Sequence, residues 1–122
     1  MINWLASYPK SGNTWVRFFL TAYLTGRVDI NHPTITEFDG SAYLHKSLAP
    51  SKLNHDSAIY LRHAVLLHLI ASRRINPLIV KSHWANITVG GVTAIPKPLT
   101  KSAVYIIRDP RDVCCSFSLC RY

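Results

Sequence analysis

The sequence predicts an α/β fold in which a parallel β-sheet is flanked by helices. Three observations favour this class. The chain opens with a short apolar run that ends at a turn, a helical pattern follows directly, and two further short apolar runs rich in Val or Ile occur later. Helical patterns stand between these runs, and strands that alternate with helices form parallel sheets.

The first strand and the first helix have clear local signals. A strand is predicted over Ile2–Ser7, because Pro9 cannot donate to a sheet ladder and marks a turn. A helix is predicted over Asn13–Thr25, with Gly26 as its C-terminal stop. Its apolar side chains follow the spacing i, i+3, i+4 and i+7, at Val16, Phe19, Leu20 and Tyr23.

The middle of the chain is predicted to hold a loop and a second helix. Residues 27–56 lose the apolar period and are rich in Asn, Asp, Gly, Pro and Ser, which is typical of a long surface excursion with one short helical turn. Residues 57–74 are predicted as an apolar, largely buried helix. Arg73 and Arg74 would complement the helix dipole at its end.

The last part repeats the order of strand and helix. Residues 78–81 and 103–107 are predicted as two more buried strands, since each is a short apolar run followed by polar residues. A helix follows the second strand, because Asp109 can serve as N-cap and Pro110 suits the first helical position. We expect residues 1–122 to form a single domain.

Composition and charge limit the classes of partner. The chain of 122 residues is 48% hydrophobic and 16% charged, as in an ordinary globular protein, and its net charge of +8 favours anionic partners. The basic residues are spread along the chain, so a nucleotide fits as well as nucleic acid. Neither a membrane span nor a signal peptide is visible, and a cytoplasmic location is expected. Three cysteines match no zinc spacing and are expected as reduced helix residues: Cys114, Cys115 and Cys120.

Polar and basic clusters follow the three predicted strands. They are the loop at Lys10, the segment ending in His83, and Arg108. In an open parallel sheet, ligands bind beyond the carboxyl ends of the strands, so these clusters are predicted to share one crevice.

The first cluster joins a strand to a helix through small residues, so backbone N–H groups and a helix N-terminus face one point, where an anion is the natural occupant. Lys10 would add a charge, Thr14 a hydroxyl, and Trp15 a surface for stacking a purine. The residue order differs from the Walker A pattern, so ATP or GTP hydrolysis is not implied. A merely structural turn remains the alternative.

These segments resemble the PAPS-dependent sulfotransferases, where PAPS is 3′-phosphoadenosine 5′-phosphosulfate. Residues 8–15, YPKSGNTW, resemble the phosphosulfate loop, usually YPKSGTTW, with Asn13 in place of the first Thr. Residues 104–113, VYIIRDPRDV, followed by Ser116, resemble the 3′-phosphate motif, and residues 78–83, LIVKSH, resemble the strand that delivers the catalytic base. The resemblance implies a three-layer, P-loop NTPase-like fold that is incomplete at its C-terminus.

The resemblance also implies residue roles. His83 would be the general base, Lys10 would neutralise charge on the leaving phosphate oxygen, and Lys81 would assist at the transferring group. PAPS would be the sulfuryl donor and 3′-phosphoadenosine 5′-phosphate (PAP) the product, with no metal. The implied nucleotide-binding residues are Lys10, Ser11, Gly12, Asn13, Thr14, Trp15, Arg108 and Ser116.

Alternatives stay open at each of these positions. Arg108 could simply pair with Asp112, Lys81 could be a solvated charge, and His83 is one of six histidines. At the level of function, the chain could be a truncated, non-catalytic sulfotransferase-like domain that binds an adenine nucleotide or a protein partner. A P-loop kinase is disfavoured, because it needs Gly before the loop lysine.

The expected acceptor is a small molecule or carbohydrate that offers a hydroxyl or amine, with neither nucleic acid nor membrane as partner. Acceptor specificity lies in loops and pocket walls that carry no motif, so the sequence does not name the acceptor. It does not indicate an oligomeric state either.

Overall fold

The structure is a computed structural model that describes residues 1–28, 36–37, 55–72 and 77–119. The strands are β1 (Ile2–Ser7), β2 (Thr36–Glu37), β3 (Ile79–Ser82), β4 (Thr88–Val89), β5 (Val92–Thr93) and β6 (Thr100–Ile106). The helices are α1 (Asn13–Thr25), α2 (His55–Ser72) and α3 (Pro110–Ser118), with a 3₁₀ turn at Lys97–Leu99.

The main sheet has four strands in the order β2-β3-β1-β6, and every pair in it is parallel. The central strand β1 aligns Trp4 with Val80 on one side and Leu5 with Val104 on the other. The predicted α/β class with a parallel sheet is therefore confirmed.

The core lies where α2 packs on β1 and β3. Six side chains form it, all buried: Ile2, Trp4, Leu66, Leu69, Leu78 and Val80. The indole N–H of Trp4 donates to Thr100 Oγ1 at 2.9 Å, so the largest core residue also satisfies its one polar group. This packing holds the central strand β1 in place. Its carboxyl end, at Ser7, borders the crevice predicted from the sequence.

The first helix has the predicted bounds. Gly26 ends it in the left-handed region with φ 68, and its N–H donates to Ala22 O at 2.8 Å. The buried positions of α1 are polar, at Asn13, Arg17 and Thr21, which stand four residues apart and so share one face. The stripe with Phe19 and Tyr23 is exposed, and these two rings stack at 6.4 Å.

Three short strands were not predicted from the sequence. The predicted excursion over residues 27–56 contains β2, a two-residue strand that pairs Thr36 with Val80; the predicted helical turn lies outside the described residues. Strands β4 and β5 form an antiparallel hairpin around Gly90 and Gly91, with φ of 54 and 81. Paired glycines at positive φ are typical of a two-residue hairpin turn.

The burial predicted for the later elements was partly wrong. The helix predicted over residues 57–74 is confirmed as α2, but Ala64 and Leu67 are exposed because one face alone packs on the sheet. The strand predicted over residues 103–107 is confirmed as β6, yet it is not buried: Tyr105 is 62% exposed. Within the described part of the chain β6 is a sheet edge, paired only with β1.

Two further findings concern surface and membrane. Cys114 and Cys115 lie exposed on α3 as free thiols, while Cys120, like Arg73 and Arg74, falls outside the described residues. Within the described ranges, no helix has the length and hydropathy of a membrane span.

Candidate functional site

The three polar clusters lie at the carboxyl ends of three neighbouring strands, as the sequence predicted. Strands β3, β1 and β6 are neighbours and parallel, so their carboxyl ends, at Ser82, Ser7 and Ile106, face the same side. His83 follows β3 directly, the loop at Lys10 follows β1, and Arg108 lies two residues beyond β6.

The loop after β1 is shaped by a tight turn and two residues at positive φ. The Ser11 N–H donates to Tyr8 O at 3.3 Å, and Lys10 and Gly12 have φ of 64 and 95. Gly12 is the N-cap of α1, and a Cβ there would meet open space. Since this cap has no side chain to bond the first N–H groups of α1, the helix begins with donors and a positive dipole end suited to an anion.

Side chains of the loop differ in exposure. Ser11 is buried, whereas Lys10, Thr14 and Trp15 are exposed, Trp15 to 81%. Lys10 therefore presents its charge, and Trp15 its ring, at the surface beside the start of α1.

The two distant motifs meet in the structure. Arg108 Nη1 donates to the carbonyl oxygen of Lys10 at 3.3 Å, although 98 residues separate them. The rings of Tyr8 and Phe117 also meet edge to face, with centroids 6.4 Å apart. The guanidinium of Arg108 is thus held beside the anion-suited loop.

A cavity opens between the loop, the end of β6 and the start of α3. Its volume is about 350 Å³. Its lining includes Tyr8, Ser11, Tyr105, Ile107, Arg108 and Cys114. The cavity is mainly apolar with Arg108 at its wall, which is a suitable combination for a flat ligand that carries a negative charge.

Arg108 also takes part in the ion pair that the sequence left as an alternative. Its Nε lies 3.7 Å from Asp112 Oδ2, and the two side chains are 42% and 62% exposed. A long pair in solvent contributes little, so it leaves Arg108 available to a stronger anion. Ser116 is half-buried on α3, eight residues after Arg108, and its convergence on the same phosphate stays a prediction.

His83 is exposed at the end of β3 and is bonded to the end of β1. Its Nδ1 lies 2.8 Å from the Ser7 carbonyl oxygen and 3.2 Å from Ser7 Oγ. A carbonyl oxygen only accepts, so the neutral ring carries its proton on Nδ1 and leaves Nε2 with a lone pair. That nitrogen can accept a proton from a nearby hydroxyl or amine.

Lys81 lies two residues before His83, half-buried on β3 and aligned with Leu5. Val80 and Ser82 are buried, and since side chains alternate along a strand, Lys81 belongs to the opposite face.

Ser7 and Asn13 make hydrogen bonds near His83 that the sequence did not predict. Ser7 is 3% exposed and bonds to His83, and Asn13 is 4% exposed with Nδ2 donating to Leu5 O and Ser7 Oγ at 3.2 and 3.1 Å. Asn13 was predicted only as part of the nucleotide loop. A polar residue at the end of a buried strand was the one available signal for Ser7, and it does not name a partner.

Asp109 caps α3 as predicted. Its side chain accepts from the Arg111 backbone N–H at 2.8 Å, and its other oxygen accepts from Arg111 Nη2 at 2.7 Å. The side-chain hydrogen bond from Arg111, and then the backbone one, lower the pKa of Asp109 below its ordinary value. The ionised carboxylate therefore stabilises the start of the helix that carries Ser116.

We expect Asp109→Ala to lower the melting temperature at neutral pH by a few degrees, because α3 loses its cap. A lowered folded-state pKa means that the stabilisation is present above the unfolded-state pKa, about 3.9, and is lost as pH falls through the folded-state value. Thermal unfolding from pH 7 to pH 3 checks this: the difference from wild type should narrow below about pH 4. Asp109→Asn, which still caps, should lose less; an equal loss would contradict the cap.

Within the described ranges 1–28, 36–37, 55–72 and 77–119, no group of three or more His, Cys, Asp or Glu side chains could hold a metal ion.

The chain matches a known protein family over most of its length. A family model described as a sulfotransferase domain matches residues 3–120, which includes the loop after β1, the end of β3 and the start of α3. No curated protein and no solved structure matches the chain significantly.

Proposed function

The chain belongs to the sulfotransferase domain family, and on this premise we propose that it transfers a sulfuryl group from PAPS to a hydroxyl or amine, with His83 as general base. The observation that carries the proposal is the meeting of the two motifs. Arg108 donates to the Lys10 carbonyl oxygen. This contact brings the side chains of Arg108 and Lys10 and the N-terminus of α1 together at the carboxyl ends of the strands.

The residues present fit a nucleotide with several anionic groups. Lys10 and the first N–H groups of α1 would hold the 5′ end, with Ser11, Gly12, Asn13 and Thr14 shaping the loop. Arg108 and Ser116 would hold the 3′-phosphate, and the exposed ring of Trp15 would stack on the purine. The net charge of +8 would attract such an anion to the surface.

PAPS, when bound, supplies the sulfuryl group that is transferred. Nε2 of His83 takes the proton of the acceptor as it attacks, since the Ser7 carbonyl holds the other ring nitrogen in its protonated form. Lys10, in the loop after β1, and Lys81, on β3, would stabilise the negative charge that develops on oxygen as the sulfuryl group leaves PAP. The acceptor is expected to be a small molecule or carbohydrate.

Calorimetric titration with PAP tests the nucleotide site. We expect the wild-type chain to bind PAP and Arg108→Ala to bind it about 10–100-fold more weakly, because one charge-assisted contact to phosphate is lost. Arg111→Ala is the matched control: it removes one guanidinium three positions further along the chain, on α3, and that guanidinium is engaged with Asp109. Its PAP affinity should stay close to wild type.

Either of two results would overturn the nucleotide site. A folded wild-type chain that does not bind PAP would show that the meeting of Lys10 and Arg108 is structural. Equal weakening by Arg108→Ala and Arg111→Ala would show that only net charge matters. PAP binding without any sulfuryl transfer would instead favour the non-catalytic alternative.

A further inference from the structure

The ring of His83 is held by both oxygens of a single residue. Ser7 places its carbonyl oxygen 2.8 Å and its hydroxyl oxygen 3.2 Å from Nδ1. If Nδ1 lacked a proton, its lone pair would face the carbonyl lone pairs at hydrogen-bonding distance, which is repulsive. The short contact therefore requires Nδ1–H, with the hydroxyl as a second, longer acceptor.

The Ser7 hydroxyl is in turn held by Asn13. The two hydrogens of Asn13 Nδ2 go to Leu5 O at 3.2 Å and Ser7 Oγ at 3.1 Å. The amide cannot be turned over, because its oxygen would then face the Leu5 carbonyl. One lone pair of Ser7 Oγ is thereby occupied, and the side chain is fixed toward the imidazole.

The orientation of Asn13 leaves a polar atom unsatisfied. Asn13 Oδ1 is buried and has no hydrogen-bond partner among the described residues. A buried amide oxygen without a partner costs stability and calls for an explanation. The donor role of Nδ2 toward Leu5 and Ser7 supplies one. Asn13 is also the first residue of α1, so it connects the anion-suited loop with the histidine.

We propose that Asn13 and Ser7 are positioning residues that keep His83 in its Nδ1–H tautomer and so keep Nε2 available as the base. Asn13 fixes Ser7, Ser7 fixes the ring, and the ring presents Nε2 to the acceptor. The catalytic role of His83 in this inference rests on the proposed function. The tautomer of His83 is independent of it, since it follows from the contacts with Ser7.

The tautomer can be measured without any activity. Two-bond ¹H–¹⁵N correlation spectra of histidine-labelled full chain distinguish the protonated from the unprotonated ring nitrogen, and His83→Gln assigns the signal. We expect wild-type His83 to be the Nδ1–H form at a pH where the ring is neutral. Ser7→Ala and Asn13→Ala both keep the Ser7 carbonyl, so Nδ1–H should stay the major form. Loss or loosening of the second acceptor, Ser7 Oγ, should add a detectable Nε2–H population.

Asn3→Ala is the matched control for these variants. Asn3 lies on the same strand β1 and also bridges two neighbouring strands, since its Nδ2 donates to Leu78 O at 3.2 Å and its Oδ1 accepts from Ser102 Oγ at 2.7 Å. It lies at the opposite end of β1 from His83. Its replacement should leave the His83 spectrum unchanged while affecting the sheet in a similar way.

Activity then tests the positioning role. Ser7→Ala should lower kcat about 10–100-fold with little change in KM for PAPS, as for other groups that orient a functional imidazole. Asn13→Ala should lower kcat by a similar factor, and its KM for PAPS should change as well, because Asn13 belongs to the proposed nucleotide loop. Ser7→Thr, which retains the hydroxyl, should restore most of the rate. A structural role alone would move neither the tautomer nor kcat selectively.

The outcomes separate the two proposals. An Nε2–H tautomer in the wild type, or unchanged tautomers in both alanine variants, would overturn the positioning inference whatever the activity. An Nδ1–H wild type that shifts in the variants, together with full activity of His83→Ala, would overturn the role of His83 as base and leave the hydrogen-bond chain established.

Discussion

Replacing His83 by alanine is expected to lower kcat of sulfuryl transfer by about 10²–10⁴-fold, the usual range for a lost general base. A hydroxyl is a weak nucleophile at neutral pH, and no other imidazole is bonded to the end of β1 in the described part of the chain. PAP affinity should be unchanged, because the proposed nucleotide contacts lie on the loop at Lys10 and on Arg108. Transfer of labelled sulfuryl from PAPS to a panel of alcohols, phenols, amines and carbohydrates measures the rate.

His68→Ala is the control for this prediction. His68 is an exposed histidine on α2, whose neighbours Leu66 and Leu69 belong to the core cluster with Ile2 and Leu78, at the start of β1 and just before β3. Its loss should therefore not change the rate. A His83→Ala variant that keeps the wild-type rate on an accepted substrate would refute the general base. Equal losses in both histidine variants would indicate a general effect on stability rather than on proton transfer.

The sequence predicted the elements that depend on local signals. Pro9, Gly26 and Pro110 act through their own backbone, and Asp109 acts through a side chain that bonds to the backbone two residues on. The first helix and the cap of the last one were therefore predicted correctly. The position of the candidate site was also predictable. The carboxyl ends of parallel strands lie on the same side of a sheet, and a polar cluster follows each strand.

What the sequence did not predict depends on contacts between distant residues. Residues 103–107 have the composition of a buried strand, but Tyr105 and Ile107 are exposed. Burial depends on what packs beside the edge strand β6, and hydrophobic periodicity does not report that. The bond of Ser7 to His83 spans 76 positions, and nothing near either residue names the other. Asn13 was expected to bind the nucleotide, and only the structure reveals its hydrogen bond to Ser7.

Removing the charge of Lys10 is the second large effect, and the backbone there allows a clean test. Lys10 has a φ of 64, in the left-handed region, where residues other than glycine are strained. Lys10→Gly therefore deletes the cation while relieving the strain. We expect kcat to fall about 10²–10³-fold, as when one preorganised group that stabilises developing charge is lost.

The stability of the same variant separates catalysis from folding. Lys10→Ala and Lys10→Gly both lose the side chain, but glycine avoids a left-handed penalty of about 1–2 kcal/mol and gives back about 0.5–1 kcal/mol in chain entropy. Urea unfolding should therefore show Lys10→Gly at least as stable as Lys10→Ala, with equally low activity. Lys97→Ala removes a lysine charge outside the loop and should retain the rate. If Lys10→Gly kept full activity, the Lys10 charge would have no part in transfer, and the phosphosulfate end would depend on the N-terminus of α1 alone.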